Sequence, residues 1–158
     1  MSIEVRRPAT GAGASADREF VAKLGRSSVM SSVGSLRATT EAMAASAFDR
    51  LYEIVGTQSH LTFIATEGER RVGFLLLLDE LPDEVTLVEQ GFIAYMAVDP
   101  GRQGAGVGAA LLEAAEHEAR RRGLPYMALM VTEENGVARR LYERAGYRTE
   151  RRLLCKPL

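Results

Sequence analysis

Three glycines stand two residues apart in Gln103-Gly104-Ala105-Gly106-Val107-Gly108. An apolar run, Phe92 to Val98, precedes them, and a helical pattern beginning Ala109-Ala110-Leu111-Leu112 follows. The pattern predicts a buried strand, a glycine-rich turn and a helix. The first turn of a helix carries N–H groups without internal partners and a partial positive charge. Glycines let a phosphate approach those groups because no Cβ stands in the way. The chemistry of this segment is therefore the binding of a diphosphate, carried by a cofactor. Gly104 to Ala109 also satisfies the G-x-G-x-x-G/A pattern of dinucleotide sites, and Glu133 could be its ribose-binding acid. That pattern normally opens a fold with several βα units after it. Here only about one helix and one strand can follow Glu133, so a nicotinamide-dependent enzyme is the remote alternative.

A second motif lies downstream, Asn135-Gly136-Val137-Ala138-Arg139-Arg140-Leu141-Tyr142-Glu143-Arg144-Ala145-Gly146-Tyr147. Together, the strand ending in Val98-Asp99-Pro100, the loop Arg102 to Gly108 and this second motif resemble the GCN5-related N-acetyltransferase (GNAT) family. The loop resembles that family's R/Q-x-x-G-x-G/A acetyl-coenzyme A signature. The second motif resembles N-x-x-A-x-x-L-Y-x-x-x-G-F/Y. The close resemblance covers about the last 65 residues.

Acyl transfer from a thioester to an amine requires a fixed donor, a deprotonated amine, a stabilised oxyanion and a proton for the leaving thiolate. The resemblance implies acetyl-CoA as co-substrate. Backbone N–H groups of Gln103, Gly104, Ala105, Gly106, Val107 and Gly108 would hold its pyrophosphate, with Arg102 adding charge. Met96, Ala97 and Val98 would pair with the pantetheine arm through free strand backbone. Tyr142 would return a proton to the thiolate, and a phenol whose pKa is near ~10 suits that exchange. Asn135 is expected to cap the last helix and could also touch the cofactor arm. The family's usual base positions hold Ala94-Tyr95-Met96 and Met130 here, and neither supplies a carboxylate. Glu89, at the mouth of the signature strand, is the candidate base, acting through a water; Tyr95 is a candidate for the acceptor pocket. The implied reaction is direct attack by a primary amine in a ternary complex. A non-catalytic acyl-CoA sensor of the same fold is the alternative that the missing glutamates leave open.

The elements that must position these residues follow from periodicity. Ile3 to Arg7 alternates as a first strand. Ala9 to Ala16 reads as loop, with Asp17 capping a helix through Phe20, Val21 and Leu24. Ser27 to Thr40, rich in serine and threonine, reads as loop or short irregular helix. Thr39 or Thr40 caps a second helix with Met43, Ala47, Leu51 and Ile54 at helical spacing, ending at Gly56. Leu61–Ala65 and Arg71–Leu78 read as an antiparallel hairpin turning at Gly68. The main helix runs from about Gly106 to Arg122, with Leu111, Leu112, Ala115 and Ala119 inward. Tyr126 to Val131 reads as a strand, Asn135 to Arg144 as a helix, and Arg148 to Cys155 as a closing strand. His60 falls in a loop and His117 on an outer helical face. The order β-α-α-β-β-β-α-β-α-β matches the α/β (α+β) GNAT fold, a mixed sheet flanked by helices, over one domain spanning residues 1–158.

Composition bounds the rest. The apolar fraction is 46% and the net charge −1, ordinary for a globular domain and without the basic excess of a nucleic-acid binder. Residues 1–98 hold 9 basic and 13 acidic side chains, net −4, and residues 99–158 hold 11 and 8, net +3. The positive half carries both motifs, which suits a polyanionic cofactor. The negative half favours an amine acceptor, either a small molecule or a protein amine. No apolar run is long enough for a membrane span, and the N-terminus lacks a secretory signal. A single cysteine, Cys155, excludes an intrachain disulfide and fits a reducing, cytoplasmic setting. It is expected in the closing strand. A homodimer is compatible with such a fold.

Overall fold

The computed structural model describes residues 2–158. Five strands form one sheet in sequential order: β1 (Ile3–Arg6), β2 (His60–Glu67), β3 (Arg70–Leu78), β4 (Gly91–Val98) and β5 (Met127–Leu129). The first four pair antiparallel, and β4 and β5 pair parallel. Helices α1 (Ala12–Ser28) and α2 (Glu41–Gly56) cover one face, and α3 (Val107–Arg121) and α4 (Gly136–Arg144) the other. Both strands of the hairpin β2–β3 are buried on both faces, which accounts for the unbroken apolar run Phe74 to Leu77.

Each face has its own core. Leu111, Leu112, Ala115 and Val107 of α3 pack on Phe63, Leu75, Leu77 and Ile93. The predicted inner stripe of α3, which also includes Ala119, is buried throughout. On the other face Phe48 sits among Phe74, Tyr95 and Tyr52, with ring centroids 5.1 to 6.1 Å apart. Close approach requires glycine at two places. A Cβ at Gly25 would lie 2.1 Å from the Phe48 ring, so α1 and α2 meet through that position. A Cβ at Gly108 would lie 2.8 Å from Leu141 Cδ2, so α3 and α4 meet through the last glycine of the loop.

Several local readings are corrected. Helix α1 begins at Ala12, so residues 12–16 are helical rather than loop, and Asp17 lies inside the helix instead of capping it. Asp17 is only 1% exposed. It accepts hydrogen bonds from both Arg6 guanidinium nitrogens at 2.8 Å, from Arg71 Nε at 2.6 Å and from the Ala9 N–H at 2.7 Å. These bonds, led by Arg6, hold its carboxyl well below the ordinary range. Thr40 caps α2 as expected, accepting from Met43 N–H at 3.2 Å, but the helix is rotated from its expected phase. Ala44, Phe48 and Val55 face inward, while Met43 and Ile54 are exposed. His60 opens β2 rather than lying in a loop. Residues 148–158 form no strand, and Cys155 is exposed rather than packed. Arg151 ties that segment to Asp83 and Glu84, whereas Leu153 and Leu154 have no strand neighbour and stay exposed.

Candidate active site

A fault in the sheet creates the site. Between Leu76 and Leu77 the β3–β4 register slips: Leu77 pairs with Ile93 and Leu76 with Tyr95, so Ala94 is an extra residue. Such a bulge bends its strand and increases the local twist. Consecutive residues Ala94 and Tyr95 therefore both pack toward the α1–α2 face. Pairing between β4 and β5 stops at Ile93 with Leu129, immediately before the bulge. Beyond it, β4 has a neighbour on one side only. Asp99 N–H donates to the Val72 carbonyl of β3 at 2.8 Å. By the two-residue alternation of a strand, Ala97 also turns its backbone toward β3, while Met96 and Val98 turn theirs into the open gap. Met96 and Val98 thus offer free backbone to a ligand. The expected contribution of Ala97 backbone is corrected, since β3 already uses it.

The gap leads to the glycine loop. Asp99 caps a single 3-10 turn, Pro100–Arg102, by accepting from Gly101 N–H at 2.9 Å, and pairs with Arg70 at 2.7 Å. Its carboxyl is held low, chiefly by the Gly101 bond. Gly104 and Gly106 have φ of 80° and 88°, a region only glycine adopts readily. A Cβ at Gly104 would meet nothing within 4 Å, and one at Gly106 only Ile3 Cδ1 at 3.9 Å, so the space over the loop is open. The first internal bond of α3 is Ala110 N–H to the Gly106 carbonyl at 3.0 Å. The N–H groups of Val107, Gly108 and Ala109 therefore have no partner within the helix. This cradle fits a diphosphate.

Two expected ligands of the loop are corrected. Ala105 N–H donates to the Arg102 carbonyl at 3.2 Å, closing the turn rather than facing outward. Arg102 Nε lies 2.8 Å from Glu67 Oε2, so its charge is already answered. Gln103, Gly104 and Gly106 stand exposed on the loop, and Val107 contributes its N–H while its side chain is buried in the core.

Asn135 caps α4, its side-chain oxygen accepting from Ala138 N–H at 3.2 Å. The helix carries Tyr142 back to the α3 side of the sheet, where it packs against the same core as Met96 and Val98. Its ring lies 5.9 Å from that of Tyr147, edge to face. Burial pushes the Tyr142 hydroxyl up to about 12, and nearby Tyr95 adds to the shift. Tyr142 therefore keeps its proton at neutral pH. Tyr95 reaches the opposite face, where its hydroxyl bonds Ser28 Oγ at 2.9 Å and burial raises it as well. The two tyrosines thus pack against the cores on opposite faces of the sheet.

Sequence reasoning did not single out the clasp over the α1–α2 mouth. Glu134 accepts from Ser35 N–H at 3.0 Å and Ser35 Oγ at 2.8 Å, and Thr132 Oγ1 donates to the Ser32 carbonyl. The connection between α1 and α2 is thereby fastened to the end of β5. Its only sequence signal is the density of hydroxyl residues between Ser27 and Thr40. Glu134 is held low by the Ser35 bonds, and Glu133 pairs with Arg139 at 3.2 Å. Glu89 is corrected as a base. It precedes the start of β4, where β4 and β5 are still joined by Gly91 N–H to the Tyr126 carbonyl at 2.9 Å. At ~3.3 Å per residue it lies about 20 Å from Met96, too far for a single water to bridge. Among the described residues no group of three or more His, Cys, Asp or Glu could hold a metal ion, and no helix is long and apolar enough to cross a membrane.

Comparison with known proteins agrees with this geometry. The pattern of the Acetyltransferase (GNAT) family matches residues 35–147. A mycothiol acetyltransferase of Beutenbergia cavernae is 43% identical over 68 residues, 43% of this chain and 22% of that protein. The ribosomal protein bS18-alanine N-acetyltransferase of Escherichia coli K12 is 32% identical over 93 residues, 56% of this chain and 63% of that protein. The matches thus span less than two thirds of the length of these relatives. A solved Pyrococcus furiosus structure assigned as an acetyl transferase shares the fold over 99% of this chain and 100% of its own, with a TM-score of 0.81 and 24% identity. A sheet opened at a bulged fourth strand, a glycine cradle at its end and a helix returning Tyr142 to the opening accompany a family match over most of the chain: this protein belongs to the GNAT acetyltransferase family.

Proposed function

We propose that this protein is an N-acetyltransferase that passes the acetyl group of acetyl-CoA to a primary amine by direct attack in a ternary complex. The observation that carries the reading is the gap after Ile93, with unpaired Met96 and Val98 backbone on one wall and the cradle of α3 at its end. Bound acetyl-CoA supplies an activated acyl carbon open to an amine. Gln103, Gly104, Gly106, Val107 and Gly108 hold the diphosphate through N–H groups and the helix dipole. Met96 and Val98 align the pantetheine arm as a neighbouring strand would. An N–H of the same strand polarises the thioester carbonyl, stabilising the charge that develops there. Tyr142, neutral and half-buried, donates its proton to the departing thiolate, and the proton that the attacking nitrogen loses on becoming an amide returns through solvent to the phenolate. Asn135 holds α4, and with it Tyr142, in position.

The amine enters from the opposite face, past Tyr95, Ser28 and the Glu134–Ser35 clasp. Glu133 and Glu134 are engaged elsewhere and Glu89 is remote, so the amine reacts as the neutral fraction delivered by solvent or by water at the Tyr95–Ser28 pair. Rate should therefore rise with pH toward the pKa of the amine. Tyr142, raised to about 12, should impose no falling limb below about pH 10.

The lack of a carboxylate at the gap favours one other reading, an acyl-CoA sensor that does not turn over. The names of the relatives, a mycothiol acetyltransferase and a ribosomal protein bS18-alanine N-acetyltransferase, frame the first panel of amines. Thiol release from acetyl-CoA against that panel tests the proposal. Turnover that falls in Tyr142→Phe at unchanged cofactor affinity supports the enzyme. Tight acetyl-CoA binding without release against any amine supports the sensor.

A further inference from the structure

The turn between β2 and β3 overhangs the end of β4. The last β3–β4 pair is Gly73 with Val98, but β3 begins earlier, at Arg70, and is joined to β2 at Glu67 through Gly68 and Glu69. Beyond Val98 the chain enters the turn Asp99 to Arg102 that leads into the cradle. The two turns carry the same pattern, an acid followed three residues later by an arginine: Glu67 and Arg70 on one, Asp99 and Arg102 on the other. Their charges cross. Arg70 reaches Asp99 at 2.7 Å, and Arg102 Nε lies 2.8 Å from Glu67 Oε2. Each turn thus gives its acid to the arginine of the other.

The two pairs differ in burial. The Glu67 side chain is 10% exposed, whereas that of Arg70 is 58% exposed. Arg102 Nε is itself buried and makes no aligned hydrogen bond, so charge alone holds the inner pair. Breaking a buried pair leaves a charge without a partner, while an exposed pair contributes little. Ile3, the register partner of Glu67 in β1, supports the same place: its Cδ1 would stand 3.9 Å from a Cβ on Gly106. Arg102 N–H donates to the Asp99 carbonyl at 2.8 Å and Ala105 N–H to the Arg102 carbonyl at 3.2 Å, so the position of this turn is passed on to Gly104 and Gly106. Backbone donors have no rotamers with which to adjust. How well they meet a diphosphate depends on where the loop is held.

We propose that Glu67 is a positioning residue for the donor: through Arg102 it fixes the loop so that the free N–H groups of the cradle meet the diphosphate, with Arg70 and Asp99 as the weaker, outer half of the clamp. Glu67 acts without touching the cofactor, and the proposal rests on the acetyl-CoA reading of the cradle. Calorimetric titration with acetyl-CoA and thermal melting, both on the full chain, test it. Glu67→Gln should weaken binding about fivefold and Arg70→Met about threefold. Combining Glu67→Gln with Arg102→Gln should weaken it no further than the weaker single variant. Glu69→Gln is the control, since Glu69 stands exposed on the same turn and belongs to neither pair. It removes the same negative charge and should bind within about twofold of the parent. Loss of charge alone would tighten both glutamine variants toward a polyanion. Parent affinity in Glu67→Gln with a lowered melting temperature would overturn the proposal and make Glu67 structural only. Tighter binding would overturn it too, because Glu67 would then be competing for an Arg102 that meets phosphate directly. If Glu67→Gln does not fold, parent affinity in Arg70→Met overturns the clamp. A parent that binds no acetyl-CoA overturns the acetyl-CoA reading and this proposal with it, whereas a binding parent with an unmoved Glu67→Gln overturns this proposal alone.

Discussion

At its C-terminal end β4 keeps β3 and loses β5; at its N-terminal end it is paired on both sides. The one-residue bulge at Ala94 separates these two states. Past it, free backbone from Met96 and Val98 faces a gap that runs into a helix N-terminus. Before it, the same strand is sealed, and Glu89 lies off that end. On the proposed reading, where pairing stops decides where acyl transfer takes place, and a carboxylate's position relative to the bulge decides whether it can act there. The comparison also shows how each end meets charge. The donor end uses backbone dipoles, with Arg102 and Arg70 already paired to acids. The other end answers acids with an arginine side chain, Asp83 and Glu84 with Arg151.

The largest effect that would sharpen this contrast is on turnover. Tyr142→Phe should lower kcat about a hundredfold or more with little change in acetyl-CoA affinity. Steady-state kinetics and calorimetry together check it, and equal losses in both would mean that Tyr142 serves binding alone. Next comes the cradle. Gly106→Val forces a β-branched residue to φ 88° and places a side chain over the free N–H groups, so acetyl-CoA binding should weaken by about tenfold to a hundredfold.

The donor end also rests on Asp17, which ties α1 to β1 and β3. Asp17→Asn should cost about 3 kcal/mol in denaturant unfolding at pH 7, because Arg6 and Arg71 lose their shared partner. The Asp17 carboxyl is depressed in the folded state. Its stabilisation is therefore complete above the unfolded pKa near ~4 and is lost as pH falls below that value. Parent and variant should converge in acid, and a constant difference down to pH 2 would contradict the ion-pair account. Smallest is the effect of Glu89→Gln on acetyl transfer, expected within about twofold in kcat and in its pH profile. A lost basic limb in that variant would return Glu89 to the gap and erase the distinction between the two ends.

Much of the donor end was legible because its signals are local. Glycine spacing, the apolar phase of α3 and the Asn135 cap each depend on residues within a turn or two of one another. Elements set by distant partners were not. Ala12 to Ala16 reads as loop by composition, yet α1 extends through it, with Asp17 held by Arg71 54 positions away. Helix α2 offers two adjacent stripes at helical spacing. Ala44, Phe48 and Val55 face inward rather than Met43 and Ile54, with the Phe48 ring seated where a Cβ at Gly25 of α1 would stand. The segment from Arg148 to Cys155 has apolar residues fit for a strand but no strand beside it. Glu89 is near β4 in sequence, but it precedes the first residue of an extended strand whose open end is the other one.

Calorimetric titration of the full chain with acetyl-CoA, and with NADH in parallel, tests the central claim most directly. Micromolar, saturable binding of acetyl-CoA with no heat from NADH is the predicted result. Binding of NADH alone, or of neither, would contradict a donor site built from the open end of β4 and the cradle of α3.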